Sequence, residues 1–367
     1  MKIQDATRDY ESWLGGKTRL DLAEIEYKHG RMADAQDPFP FFRGTYYRWA
    51  QRWPEICADL AEAPRILAVG DLHVENFGTW RDGEGRLCWG INDYDEADEL
   101  PCVHDLVRLA ASVFLLKRLG ILDTKFKPAC AAILDGYRNS LKAGGDPFVL
   151  EEHHPELRAL AMSADRDPVA FWNKLTGLLA SPAVEPPPMA QAALLSDLPA
   201  EHVKPEFRPR PKVGMGSLGK PRYILLTEWA GGRIAREAKA VTPPSTAWAT
   251  EKATPPRMAE IVARAVHAAD PFYRPGEEWV VRRLGPRCSR IELGHLGGVG
   301  DLTVLLGAMG AETANVHLGS ADAAAVLRYL KKKDGGWLPA AAKAMVEATR
   351  ADWKDWCSGA VPLPPRG

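Results

Sequence analysis

The chain has 367 residues, a formal net charge of −1, 46% hydrophobic and 26% charged residues. Those values exclude wholesale disorder, and the even charge balance lacks the basic footprint of a dedicated nucleic-acid binder. No apolar run approaches the roughly 20 residues that span a bilayer, and Met1-Lys2-Ile3-Gln4-Asp5 lacks an apolar signal region, so a soluble cytoplasmic protein without membrane partners is expected.

In chain order, residues 5–63 read as mostly helical, with a loop at 37–40. Residues 65–70 (RILAVG) form a short apolar run ending in Gly-Asp, a buried-strand pattern. A turn at 82–85 leads into a strand at 86–92, and residues 105–119 carry one apolar helical side. Helical patterns continue over 127–142, 155–162 and 168–179. Fifteen of the 29 prolines lie between Pro182 and Pro275. The stretch 181–211 reads as a surface connection, because proline fixes φ and removes a backbone donor. From 212 to 283 the pattern is strand-rich, with strands at 222–229, 234–241 and 278–284 and a helix at 256–269. After Gly300 it is helical again, over 302–316, 321–332 and 339–356. Lys331-Lys332-Lys333 reads as a solvated helix end, and the tail 361–367 as frayed. The six scattered cysteines form no CxxC pair and read as free, mostly buried thiols.

Two segments carry chemistry. The first is Gly70-Asp71-Leu72-His73-Val74-Glu75-Asn76, followed at the next strand end by Asn92-Asp93-Tyr94-Asp95. Two acids and an amide at adjacent strand ends make a hard-oxygen cluster suited to Mg²⁺. Phosphoryl transfer needs one carboxylate to orient the acceptor hydroxyl, and further oxygens to hold metal on the phosphates. The second is Gly214-Met215-Gly216-Ser217-Leu218-Gly219. Pro221 and the strand pattern after it argue for strand–loop–strand rather than a Rossmann turn, which would open a helix. Such a loop can lie over phosphates, where Cβ atoms would block close backbone approach. Lys239 on a following strand, with Glu260 on the next helix, supplies the lysine–carboxylate pair that such a lobe requires.

These residues resemble the catalytic and metal-binding motifs of the protein-kinase-like superfamily, in its aminoglycoside-phosphotransferase and choline-kinase branch. GDLHVEN followed by INDYDEA resembles that branch's H-G-D-x-H-x-x-N and I-D-[FW]-x-x-A pattern, with Val69 in place of His. His104-Asp105-Leu106 resembles its later helix start, where an acid buttresses the catalytic loop. Over roughly residues 25–320 the chain also resembles a bacterial domain-of-unknown-function family placed in that superfamily. The segments concerned are 31–50, 67–80, 91–113, 213–226 and 267–273.

The resemblance implies an α+β, bilobal, protein-kinase-like fold with a mainly helical catalytic lobe and a small antiparallel-sheet nucleotide lobe. The order of the motifs implies circular permutation, since the catalytic loop precedes the glycine-rich segment. Residues 1–195 would form the first part of the catalytic lobe, 196–285 the nucleotide lobe, and 286–367 a helical return in which 302–316 takes the place of the helix before the loop. The implied activity is ATP/Mg²⁺-dependent phosphoryl transfer to a hydroxyl of a small molecule. Asp71 would orient or deprotonate the acceptor, with His73 shaping the loop. Asn76 and Asp93 would bind metal, and Asp95 a second metal or none. Lys239, positioned by Glu260, and the Gly214, Gly216, Ser217 and Gly219 backbone would hold the phosphates. Arg43 is a further candidate for substrate or phosphate.

Nucleotidyl transfer and a nucleotide-binding scaffold are alternatives. A metallophosphoesterase is a rival, for which Asp71-x-His73, Asp93, Gly294-His295-Leu296 and Asn315-Val316-His317 are the available residues. Trp80, Trp89 and Trp172 read as core. The acceptor and the oligomeric state are not legible in the motifs.

Overall fold

The computed structural model describes residues 1–151, 153–162, 167–201, 203–288 and 302–359. Four helices open the chain: α1 (Ile3–Gly15), α2 (Leu22–Met32), α3 (Phe39–Gly44) and α4 (Tyr46–Ile56). Asp21 caps α2 by accepting from Ala23 N and Glu24 N. β1 (Arg65–Ala68) follows, then the hairpin of β2 (Phe77–Arg81) and β3 (Leu87–Ile91), then β4 (Asp98–Pro101). β1 pairs with β4 and β2 with β3, both antiparallel. The sequence pattern missed β2 and β4. β2 is buried along most of its length, and β4 is only four residues long with two charged residues first, so neither shows the apolar–polar alternation that marks a half-buried strand.

The core lies beneath these strands. α5 (Val103–Arg118) runs through it, with every residue from Val103 to Val113 buried. α6 (Phe126–Ala143), and later α12 (Leu302–Leu318), α13 (Ala323–Lys332) and α14 (Trp337–Ser358), complete one apolar cluster with it. α6 and α12 touch backbone to backbone. A Cβ on Gly136 would collide with the Gly307 carbonyl, and one on Gly310 with that of Ile133.

Between α6 and α12 the chain forms α7 (Pro155–Ala161), α8 (Pro168–Thr176), α9 (Pro188–Leu195), α10 (Ser245–Ala249) and α11 (Met258–Arg264), together with an antiparallel sheet. Its strands are β5 (Glu206–Pro209), β6 (Arg222–Trp229), β7 (Gly232–Ala240), β8 (Arg274–Pro275) and β9 (Trp279–Leu284), in the order β5-β6-β7-β9-β8. One face packs Ile224, Leu226, Ala235 and Leu284 against Leu175, with Phe171 and Trp172 beside them. The other packs Leu225, Ala238 and Val281 against Leu194 of α9.

The proline-rich stretch is therefore less of a linker than its composition suggests. α9 starts at Pro188, a position where the missing N–H costs nothing, and its Leu194 is fully buried. The helix expected over 256–269 is shorter, ending at Arg264. The short helix α10 was not foreseen. The remaining helices of the sequence reading fall where expected, including the one that ends in the lysine run at Lys332. The six cysteines are free, four of them buried. Trp80 and Trp89 are core residues. The tail 361–367 lies outside the described residues. Among the described residues, no helix is long and apolar enough to cross a membrane.

The α6–α12 seam leaves no room for a methyl group. Gly136→Ala and Gly310→Ala should each lower the unfolding free energy by about 1–3 kcal/mol through overpacking. Gly83→Ala, at a turn with open space around it, should be neutral. Chemical denaturation of the three variants checks this.

Candidate active site

The loop after β1 is held from inside the core. The Asp105 carboxylate, fully buried on α5, accepts from Val69 N (2.7 Å) and Gly70 N (2.9 Å). His317 of α12 donates from Nε2 to Asp105 Oδ2 at 3.0 Å, and the Tyr137 hydroxyl of α6 meets His317 Nδ1 at 2.8 Å. Burial alone would raise the pKa of Asp105. The hydrogen bond from His317 and the positions of both His104 and His317 hold it well below the usual carboxylate range. Gly70 has φ +86°, and a Cβ there would strike the Glu96 carbonyl, so the chain can turn here only with glycine.

One helical turn after Asp105, Arg108 takes Asp71. Its Nε and Nη2 both donate to Asp71 Oδ1, at 2.9 and 2.6 Å, and Nη2 also reaches Phe42 O at 2.7 Å. The guanidinium lies 3.5 Å from the Phe42 ring centroid and 4.6 Å from that of Trp49. Oδ2 of Asp71 faces Gly216 and makes no hydrogen bond among the described residues. Burial raises the Asp71 pKa, and Arg108 opposes the rise.

His73 and Asn76 lock the loop reciprocally. His73 N donates to Asn76 Oδ1 at 2.7 Å, and Glu75 N donates to His73 Nδ1 at 3.2 Å. His73 is thus a loop-shaping residue, as its position in the motif suggested. Glu75 pairs with Arg43 of α3, so Arg43 is committed to the loop.

Asp93 and Asp95 stand on the turn after β3, and Lys239 of β7 reaches both. Its Nζ is 2.5 Å from Asp95 Oδ1 and 3.5 Å from Asp93 Oδ1. Burial would raise the Asp95 pKa, but Lys239 and then Lys220 bring it down to about 2. Asp93 is the freer of the two: its side chain is 46% exposed against 14% for Asp95, and it lies farther from the ammonium.

Glu260 does not serve Lys239. It is bound to Arg257 (2.7 Å) and Arg264 (3.1 Å) on its own helix, whose i±3 and i±4 neighbours satisfy it locally. The carboxylate beside Lys239 on the sheet is Glu237, 1% exposed, which accepts from Arg222 (3.1 Å) and Arg282 (2.7 Å) and also pairs with Arg210. Those three cations, overcoming the effect of burial, hold it well below the usual carboxylate range.

The glycine-rich segment connects β5 and β6, the strand–loop–strand arrangement expected of it. Its glycines do different work. Gly214 (φ +76°) and Gly216 line the pocket, and a Cβ on Gly216 would sit 3.7 Å from Asp71 Oδ2 and 3.3 Å from Arg43 O. Gly219 faces away from it. Its carbonyl accepts from Asp21 N at 2.9 Å, and a Cβ there would collide with Ile25 of α2. The Ser217 hydroxyl is held by Arg222 Nη2 at 2.5 Å.

These elements surround one pocket that opens to solvent. Asp71, His73, Asn76, Asp93, Asp95, Gly214, Gly216 and Ser217 all line it. Lys239 stands behind Asp95, and Glu260 takes no part. Lining residues to which the sequence reading gave no role include Lys28, Tyr46, Glu96 and Lys220. Lys220 was the accessible one, since it directly follows the glycine motif. It is buried and donates to Thr242 Oγ1 at 2.7 Å. Arg108, the partner of Asp71, was signalled only by its i+3 spacing from Asp105.

Mg²⁺ commonly takes one or two carboxylates and completes its shell with water and phosphate oxygens. Asp93 and Asp95 fit that habit, since two carboxylates share one ammonium and both line the pocket. Asn76 adds an amide oxygen whose second lone pair is uncommitted. Among the described residues there is no cluster of three or more His, Cys, Asp or Glu placed to hold a metal. His317 and Asn315 are engaged inside the fold, and Gly294-His295-Leu296 lies outside the described residues.

Fold and pocket together define a mainly helical α+β protein whose charged cleft is roofed by a glycine-rich loop from an antiparallel sheet. The chain belongs to the family described as "uncharacterized protein conserved in bacteria" (DUF2252), whose model matches residues 20–168 and 208–359. The first stretch supplies Lys28 to Glu96, and the second supplies the glycine loop, Lys220 and Lys239. Comparison with curated proteins and with solved structures returned no match.

Glu96 gives a pH prediction. Its oxygens accept from Ser245 N (2.5 Å) and Ser245 Oγ (3.0 Å), and burial raises its pKa to about 7. Between about pH 4.5 and 7 the folded chain keeps a proton that the unfolded chain has lost. Stability from this group is thus greatest below that window and falls as pH rises through it, with a slope of about 1 kcal/mol per pH unit. Glu96→Gln, which can keep both contacts if the serine hydroxyl reverses, should flatten that fall. Melting temperature from pH 5 to 8, for wild type and variant, reads it directly.

Proposed function

We propose that the protein is an ATP/Mg²⁺-dependent phosphotransferase that moves a phosphoryl group to a hydroxyl of a small-molecule acceptor. In this reading the fold is kinase-like and circularly permuted. Residues 1–195 and 286–367 build the catalytic lobe, and 196–285 the nucleotide lobe. The observation that carries it is the convergence of Gly216 on Asp71 and of Lys239 on Asp93 and Asp95. Two groups of residues more than a hundred positions apart, in the order opposite to an ordinary kinase, meet around one pocket. α12 supports the permutation, because it comes late in the chain yet braces Asp105 beneath the loop.

Each side chain then has a task. Arg108 fixes Asp71 through Oδ1 and leaves Oδ2 to accept the proton of the attacking hydroxyl. Such a positioned base contributes typically 10²–10⁴-fold. Asp93, Asn76 and Asp95 would hold Mg²⁺, which when bound neutralises charge on the phosphates. Lys239 is already drawn to that point by two carboxylates and would turn to the phosphates. The amides of 214–217 would cover them. His73 keeps Asp71 and Asn76 in register.

ATP with Mg²⁺ should raise the melting temperature of the wild type, and ligand at 100 times Kd corresponds to about 2.7 kcal/mol. Asp93→Ala should lose most of the Mg²⁺-dependent part, and Lys239→Met should weaken nucleotide with or without the metal. In a metabolite screen for ATP consumption, Asp71→Asn should retain nucleotide binding and lose at least 100-fold in turnover. Absence of stabilisation by any nucleotide would sink the reading.

A further inference from the structure

The helical wall of the pocket holds two donors with nothing to donate to. Lys28 of α2 is 3% exposed, lines the pocket, and makes no hydrogen bond or ion pair among the described residues. The Tyr47 ring lies near it, with its centroid 6.0 Å from Nζ. Tyr46, also 3% exposed, has a hydroxyl with no partner, next to Gly70. A buried ammonium without a counter-charge and an orphaned hydroxyl both destabilise a fold. The fold tolerates both on the wall of one pocket.

The other cationic and hydroxyl side chains named around the pocket each have a partner. Arg43 is bound to Glu75, Lys220 to Thr242, Lys239 to Asp95, and Tyr10 to Ser245 (3.1 Å), which in turn holds Glu96. Lys28 and Tyr46 remain, one charged donor and one neutral, aimed into a space that Asp71 also faces. Burial lowers the Lys28 pKa and Glu11 works against that, and an anion arriving at Nζ would favour the charged form further.

We propose that Lys28 and Tyr46 form an oxyanion subsite for the acceptor, which is therefore a small hydroxylated molecule carrying its own carboxylate or phosphate group. The word "acceptor" rests on the phosphotransferase reading; the subsite does not. The nucleotide's phosphates have their own provision on the sheet side, in Lys239, the aspartate pair and the glycine loop. Lys28 and Tyr46 come from the helical wall, on α2 and α4. An anion tethered there would place a neighbouring hydroxyl toward Asp71 Oδ2.

The test is calorimetric titration of the full chain with inorganic phosphate and with malate, each with and without saturating ADP and Mg²⁺. At least one of the two anions should bind the wild type and stay bound alongside ADP. Lys28→Met should weaken it at least 10-fold and Tyr46→Phe several-fold, both with unchanged ADP affinity. Ligand-free Lys28→Met should also melt above the wild type, because a buried unpaired charge has gone. The subsite is overturned if neither anion binds, if both variants bind as the wild type does, if ADP displaces the anion, or if Lys28→Met melts lower. Should Lys28→Met not fold, the same melting criterion decides against the subsite. Anion binding through Lys28 without any ADP binding would uphold the subsite and remove the nucleotide reading. ADP binding without anion binding would do the reverse.

Discussion

A carboxylate with no access to water organises this molecule. Asp105 sits at the first turn of α5, its oxygens divided between two backbone amides of the loop after β1 and the imidazole of His317. A charge so deep is stable only when its hydrogen bonds are complete, and these are. Removing any partner would leave the others facing an uncompensated anion. The loop, α5, α12 and, through Tyr137, α6 are thereby fixed to one point. Arg108 then extends the same helix to Asp71, so loop backbone and loop side chain are governed from a single element.

The sheet shows the same logic with opposite signs. Glu237 is enclosed by three arginines from β6, β9 and the end of β5, tying neighbouring strands together where an apolar pair would leave them free to slip. Two positions along β7, on the same face, Lys239 reaches out of the sheet to the aspartates. The sheet is thus charged on the face that meets the helical body, and its attachment to Asp95 is electrostatic. A bound cation or phosphate would compete directly with that attachment.

Much of this could be read from the chain. The run RILAVG ending in Gly-Asp placed the loop, because a buried strand leaves few alternatives for the polar residues at its end. Asp93 and Asp95 followed from the same reasoning at the next strand end. Pro221 and the strand after it separated the glycine segment from a Rossmann turn. Residues whose role depends on distant partners were not legible. Glu260 had the right position in sequence, but Arg257 and Arg264 on its own helix are nearer than any lysine. Lys28 lies on an ordinary amphipathic pattern between Ile25 and Met32, where a lysine reads as solvated, and only the packing of α2 beneath the glycine segment buries it. His317 lies more than two hundred residues from its aspartate, and no local pattern could couple them.

The glycine segment is fastened at both ends to the same helix. Lys212 N donates to Glu24 Oε1 at 2.6 Å, and Gly219 O receives the amide of Asp21 at the cap of α2. Residues 213–218 therefore span a bridge between two piers on one rigid body, not the tip of a hairpin hinged on the sheet. A hairpin tip swings with its strands, whereas a bridge can only arch or flatten. Closure over a ligand here would thus be a change of curvature centred on Gly214 and Gly216, with the sheet itself standing still.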